Sequence, residues 1–132
     1  MEIKKISKEN LPEAIELVWV VFKEFEAPDY SQEGIDEFKR YIDQQAENMT
    51  FEMYGAFEKD DLLGVIATRN EGSHISLFFV RNEYHGQGIG RRLFEHIVPL
   101  CESSCITVNS SPYAANIYRK LGWDLSIRIP NS

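Results

Sequence analysis

Apolar and polar positions change period several times along the chain, and each change predicts a new element. Met1 to Ile6 alternates weakly and predicts a first strand. The period then lengthens: Ile15, Val18, Trp19 and Phe22 recur on one face of a helix that runs to about Phe25. Asn10-Leu-Pro-Glu13 marks its start. Asn10 is placed to accept from the first-turn N–H groups, Glu13 can reach back, and Pro12 sits where a missing N–H costs little. Ala27-Pro-Asp-Tyr30 breaks the pattern, and Ser31 is expected to cap a second helix carrying Ile35, Phe38, Tyr41 and Ile42.

Shorter periods follow. Met53 to Glu58 and Leu62 to Thr68 flank the polar stretch Lys59-Asp-Asp61 and predict a hairpin. Ile75 to Val80 is nearly all apolar, as a central strand covered on both faces requires. The segment RNEYHGQGIGRRLF, Arg81 to Phe94, then carries glycines at alternate positions and opens a helix with Ile89, Leu93, Ile97 and Leu100 at core spacing. Cys105 to Val108 predicts another strand, Ser111-Pro112 starts a helix to about Leu121, Gly122 ends it, and Trp123 to Ile129 predicts a last strand. The order is strand, two helices, three strands, helix, strand, helix, strand. It predicts an α/β (mixed α+β) fold with a central mixed β-sheet flanked by helices. The unit from Ile75 to Val108 should be a right-handed parallel crossover.

Composition narrows the function. A chain of 132 residues without repeat, low-complexity tract or linker suits one domain, residues 1–132. Its 43% hydrophobic and 27% charged residues are those of an ordinary soluble protein. MEIKKISKEN lacks the apolar region of a secretory signal, and the longest apolar run is too short to cross a bilayer, so no membrane partner is expected. Cys101 and Cys105 are too few for a disulfide framework and lack partner ligands, which points to a reduced, cytoplasmic setting and no metal. A formal charge of −7 argues against nucleic acid and permits a cationic small molecule.

The glycines carry the candidate chemistry. Glycine permits φ > 0, so backbone N–H groups can be aimed at one point, and at a strand-to-helix junction the first helical N–H groups lack partners. The helix dipole adds a partial positive charge, and phosphate is the ligand that such a junction favours. A turn that merely packs tightly is the alternative. Gly86, Gly88 and Gly90, between an apolar strand and an amphipathic helix, favour phosphate. The spacing G-x-G-x-G departs from the dinucleotide fingerprint G-x-G-x-x-G, Val108 leads into Asn109 rather than an acid, and the Gly-Lys-Ser/Thr of a Walker loop is absent.

His85-Gly-Gln-Gly88-Ile-Gly90 resembles the acyl-CoA loop Gln/Arg-x-x-Gly-x-Gly/Ala of the GNAT family, the GCN5-related N-acetyltransferases, with His85 in the first place. Downstream, Asn109 and Ser111-Pro-Tyr-Ala114-Ala-Asn-Ile-Tyr118-Arg-Lys-Leu-Gly122-Trp123 resemble the family's Asn-x-x-Ala-(x)₃-Tyr-(x)₃-Gly-Phe helix, with Ser111 for Asn and Trp123 for Phe. The resemblance implies the GNAT acyl-CoA N-acyltransferase fold with a shortened C-terminal end. Members usually end in two further strands, and here Ser132 follows soon after the first. An unpaired edge at Leu125 to Ile129 is a liability, so a homodimer is expected to complete it.

The same resemblance implies an N-acetyltransferase that moves the acetyl group of acetyl-CoA (coenzyme A as the carrier) to a primary amine by direct attack in a ternary complex. The thioester would lie between the strands at Ile75 to Val80 and Cys105 to Val108. The diphosphate would sit on the loop of His85, Gly86, Gln87, Gly88, Ile89, Gly90 and Arg91. Arg91 and Arg92 suit an anionic cofactor, with a solvated helix face as the alternative for both and the favoured reading for Arg92. Backbone N–H groups near Phe79 and Val80 would hold the pantetheine and polarise the carbonyl, and Asn109 and Asn116 would add polar contacts, with Tyr113 as a cover or a surface aromatic. Tyr118 is placed to protonate the leaving thiolate, a phenol near ~10 against a thiol near ~8.5. For the base, His74, Glu83 and a water chain stay open, and the acceptor, a small amine or a peptide amine, is expected near Phe25 to Tyr30 with Glu24, Glu26 and Asp29. A non-catalytic acyl-CoA-binding module is the alternative function, and a nucleotide-binding protein a distant third.

Overall fold

The alternating and apolar segments pair side by side in chain order: β1 (Glu2–Lys5), β2 (Glu52–Glu58), β3 (Asp61–Arg69), β4 (His74–Val80) and β5 (Thr107–Val108). The computed structural model describes residues 1–48, 52–69 and 74–100, and the backbone of 107–108. Strands β1 to β4 are antiparallel, and β5 runs parallel to β4 through His74 opposite Thr107 and Ile75 opposite Val108. The mixed sheet expected from the order of elements is therefore present. Its helices are α1 (Leu11–Phe25), α2 (Gln32–Glu47) and α3 (Ile89–Ile97), the last lying in the parallel crossover. The helix expected at 111–121 and the strand expected at 123–129 lie outside the described residues. No helix among the described residues is long and apolar enough to cross a membrane.

Two apolar layers press on the sheet. On one face Val18, Phe22 and Ile42 pack with Met53, Phe57, Val65, Leu77 and Phe79. On the other Ile89, Leu93 and Ile97 pack with Ala56, Ile66, Phe78 and Val80. Every residue of β4 is buried, as its unbroken apolar run predicts. Strict alternation fails at two places. Ala56 faces Gly64 while Phe57 faces Leu62, which leaves Leu63 extra in β3; Ala67 faces Leu77 while Thr68 faces Ile75, which leaves Ser76 extra in β4. Each bulge reverses the parity of the strand. That is why Leu62 joins Val65 on the α1 face, and Ile75 joins Phe78 and Val80 on the α3 face. Arg81 clamps the first bulge, its backbone N–H donating to the Leu63 carbonyl and its Nε to the Leu62 carbonyl, both at 2.9 Å.

Three local expectations need correcting. Asn10 precedes α1 but does not cap it: its φ of −87° and ψ of −12° are helical, and its Oδ1 instead accepts from the Ser7 hydroxyl at 2.8 Å. A capping side chain needs extended backbone to reach over the first turn. Ser31 has it, with ψ of 162°, and its Oγ accepts from the Gly34 N–H at 3.1 Å. Leu100 is not a core position, because α3 stops at Ile97 and tightens into a 3₁₀ turn over Val98–Leu100 that leaves Leu100 49% exposed. Asp61 belongs to β3, paired with Glu58, so the hairpin turn is Lys59-Asp60, with Lys59 at φ 56°.

The α1–α2 layer is anchored by Phe22, fully buried, stacked on Phe38 at 4.0 Å between ring centroids and met edge-on by Tyr30 at 5.2 Å. Phe22→Ala should lower the unfolding free energy by about 3–5 kcal/mol, a large part of a domain's stability. Urea unfolding measures it, and a loss below about 1 kcal/mol would contradict this packing.

Candidate active site

Past Val80 the chain leaves the sheet in a tight turn, the Tyr84 N–H donating to the Arg81 carbonyl at 3.0 Å and the His85 N–H to the Asn82 carbonyl at 3.2 Å. Gly86 follows at φ 80° and Gly88 at φ 81°. A residue with a Cβ pays roughly 1–2 kcal/mol there. A Cβ at either position would meet no protein atom within 4 Å, so backbone angle rather than crowding demands glycine. Gly90 differs. It is already helical, and a Cβ there would lie 3.5 Å from Phe78 Cζ, an ordinary contact. The alternate glycines thus divide into two that the bend requires and one that it tolerates.

The bend delivers the start of α3. Gly88 stands at its N-cap with no side chain to satisfy the first turn, and the first helical bond runs from the Arg92 N–H to the Gly88 carbonyl at 3.1 Å. The N–H groups of Ile89, Gly90 and Arg91 precede that bond and have no carbonyl behind them in the helix. The helix dipole favours acids in a first turn: α1 has Glu13 and α2 has Glu33. The first turn of α3 has no acid and instead carries the exposed Arg91, with Arg92 next to it. Positive side chains beside a positive helix end suit an external anion.

Phe79 and Val80 are core residues by their side chains, 4% and 7% exposed, so only their backbone is available to a ligand. Phe79 pairs with Val65 and Val80 with Gly64 on the β3 side, whereas pairing of β4 with β5 is described only at His74 and Ile75. His85 Nε2 lies 2.7 Å from the Val80 carbonyl oxygen, and its ring sits 5.2 Å from that of Phe25, tilted by 32°. Gln87 Nε2 donates to the Glu83 carbonyl at 3.4 Å. The loop and the end of α1 therefore meet, which brings Phe25 of the expected acceptor segment to the expected cofactor loop. Periodicity offered no sign of that contact, nor of Arg81 as the clamp on β3.

Other expected residues are scattered. His74 is buried at the far end of β4, and a seven-residue strand puts about 20 Å between it and Val80, too far for a shared proton transfer. Glu83 lines a cleft of about 410 Å³ with Glu13, Glu16, Asp61, Arg81 and Tyr84, none of which belongs to the segment Phe25 to Tyr30. In that segment Glu26 is buried, while Glu24 and Asp29 are exposed. Burial, then the charges of Glu26 and Asp29, pushes the Tyr30 phenol above its ordinary range, so it stays protonated as a donor and is no base. Asn109, Tyr113, Asn116 and Tyr118 lie outside the described residues.

Residues 26–127 match the sequence profile of the acetyltransferase (GNAT) domain, and the chain belongs to that family of acetyltransferases. No curated protein matches it in sequence. Its fold is shared with a GCN5-related N-acetyltransferase from Rhodopseudomonas palustris at 19% identity and a TM-score of 0.76, covering 90% of this chain and 78% of that one. It is shared too with YjaB from Escherichia coli in its apo form, at 18% identity and a TM-score of 0.72, covering 91% and 80%. An aminoglycoside N-acetyltransferase, AAC(6')-Iy, solved with CoA, has 11% identity and a TM-score of 0.69 over 99% and 92%.

The bend itself can be checked by stability. Gly86→Ala and Gly88→Ala should each cost about 1–2 kcal/mol, whereas Gly90→Ala should be neutral or stabilise by up to about 1 kcal/mol. Chemical denaturation of the three variants reads this directly, and an equal loss at all three would refute the division.

Proposed function

We propose that residues 1–132 form one N-acetyltransferase domain that takes the acetyl group of acetyl-CoA and delivers it to a primary amine of a small molecule or peptide. The observation that carries the cofactor is the start of α3, where left-handed Gly86 and Gly88 lead into three first-turn N–H groups that have no carbonyl behind them in the helix, and into a basic first turn. A diphosphate fits that donor set: its charge complements Arg91 and the helix end, and its oxygens accept from backbone N–H groups. His85, Gln87, Ile89 and Gly90 complete the loop, with Asn109 and Asn116 as further polar contacts. The neighbour of like fold solved with CoA supports the same cofactor.

When bound, acetyl-CoA supplies the activated acyl group. The chain's share is to hold, polarise and manage protons. The backbone N–H of Val80 would polarise the thioester carbonyl, a preorganised donor worth about 3–4 kcal/mol in comparable sites. The acceptor amine would attack as the free base; with the carbon–nitrogen bond formed and the carbon–sulfur bond broken, the thiolate would take the proton of the Tyr118 hydroxyl, and the proton shed by the new amide nitrogen would pass through water to restore the phenol. A phenol near ~10 and a thiol near ~8.5 are close enough in proton affinity for that transfer.

Calorimetry should show CoA binding, and acetyl-CoA should release free thiol only when an amine is added, in a panel of polyamines, amino acids, aminoglycosides and peptides. Tyr118→Phe should lower kcat at least about tenfold with CoA affinity unchanged within about twofold. Unchanged kcat removes Tyr118 from the reaction, silence across the amine panel removes the transferase reading, and failure to bind CoA removes the cofactor site as well.

A further inference from the structure

The Val80–Arg81 peptide is held at both ends. Its N–H points into the sheet and donates to the Leu63 carbonyl of β3 at 2.9 Å. A trans peptide directs its C=O the opposite way, toward the β5 edge of β4, and there the His85 ring meets it at 2.7 Å. A carbonyl only accepts, so Nε2 must carry the proton. In extended chain the N–H and C=O of one residue lie along the same strand edge. The Val80 N–H therefore faces the β5 side with its carbonyl. The 3₁₀ turn Asn82–Tyr84 folds the chain back so that His85 returns to the strand it has just left, and the Phe25 ring lies against the imidazole.

We propose that His85 is a positioning residue: by donating from Nε2 to the Val80 carbonyl on the edge of β4 away from β3, it fixes the backbone whose N–H faces the thioester. Among the described residues the imidazole is the donor that meets this carbonyl from that edge. Through Phe25 it also ties the end of α1 to the loop that opens α3. Glutamine and arginine, which the family pattern places at this position, likewise carry side-chain N–H donors. The common requirement is a donor for the strand-end carbonyl and not an imidazole as such. This role rests on the acetyl-CoA site proposed above.

Two measurements separate the role from that site. In the ligand-free protein, ¹⁵N spectra of the histidine rings should show His85 as the Nε2–H tautomer, unchanged when CoA is added. Backbone amide spectra with acetyl-CoA should then show Val80 and residues 86–91 shifting in the wild type and in His85→Gln. In His85→Leu, which keeps bulk and loses the donor, the loop amides should still shift while the Val80 response falls by at least about half. A His85 proton on Nδ1 alone, or identical Val80 responses in the two variants, overturns the role of His85 and leaves the cofactor site standing. If acetyl-CoA shifts no amide in the wild type, the cofactor site falls and this role with it. Thermal melting of both variants shows whether each remains folded, and the tautomer of His85 in the wild type decides the matter should His85→Leu fail to fold.

Discussion

Burial of β4 on both faces is the constraint from which the site follows. In a strand covered by α1 and α2 on one side and α3 on the other, Ile75, Leu77, Phe78, Phe79 and Val80 all point into a core and are closed to a ligand. What it can offer is its edge and its end. The edge toward β3 is consumed by antiparallel pairing through Val80. Chemistry on this strand therefore has to use backbone groups on the other edge and whatever the chain does after Val80. Two bulges, at Leu63 and Ser76, break the alternation and so turn Leu62 and Ile75 into the layers where they pack, and Arg81 secures the first of them beside the strand end.

Much of this was readable from the residues because it depends on period. The run Ile75 to Val80 told of a strand covered twice, and the spacing of Val18 and Phe22 or of Leu93 and Ile97 told which helix faces are buried. Backbone geometry was less accessible. Asn10 has the right chemistry for a cap, but the preceding turn, bonded through Ser7, takes up its side chain and holds it in helical angles. Leu100 keeps a helical spacing beyond the point where α3 has tightened, and Pro99 stands inside that last turn. A bulge has no compositional mark at all, so Leu63 and Ser76 show only as a register shift.

For the site the same division holds. Glycines that need φ > 0 and glycines that merely pack are identical letters, and only the angles at Gly86 and Gly88 set them apart from Gly90. The pairing of His85 with Val80 spans five residues, yet it requires the 3₁₀ turn between them, and polar residues such as Asn82 and Glu83 do not specify one turn over another. The contact with Phe25 spans sixty residues of chain and is set by the whole sheet. Long-range meetings of this kind are what local patterns leave undetermined.

The electrostatics of the chain makes sense only when the bend is considered separately from the whole. A protein of net charge −7 repels a polyphosphate at long range, and screening shortens that repulsion to about 8–10 Å at ordinary salt. Within that distance the start of α3 presents the opposite sign, from helical N–H groups, the dipole and Arg91 together. Acidic side chains line a cleft at Glu13, Glu16, Asp61 and Glu83, with Arg81 among them. The described surface thus carries fields of opposite sign, positive at the start of α3 and negative in the cleft of Glu13, Glu16 and Asp61. A uniformly acidic surface would exclude any anion, so only a local reversal of sign lets a chain of this net charge attract one at that helix start.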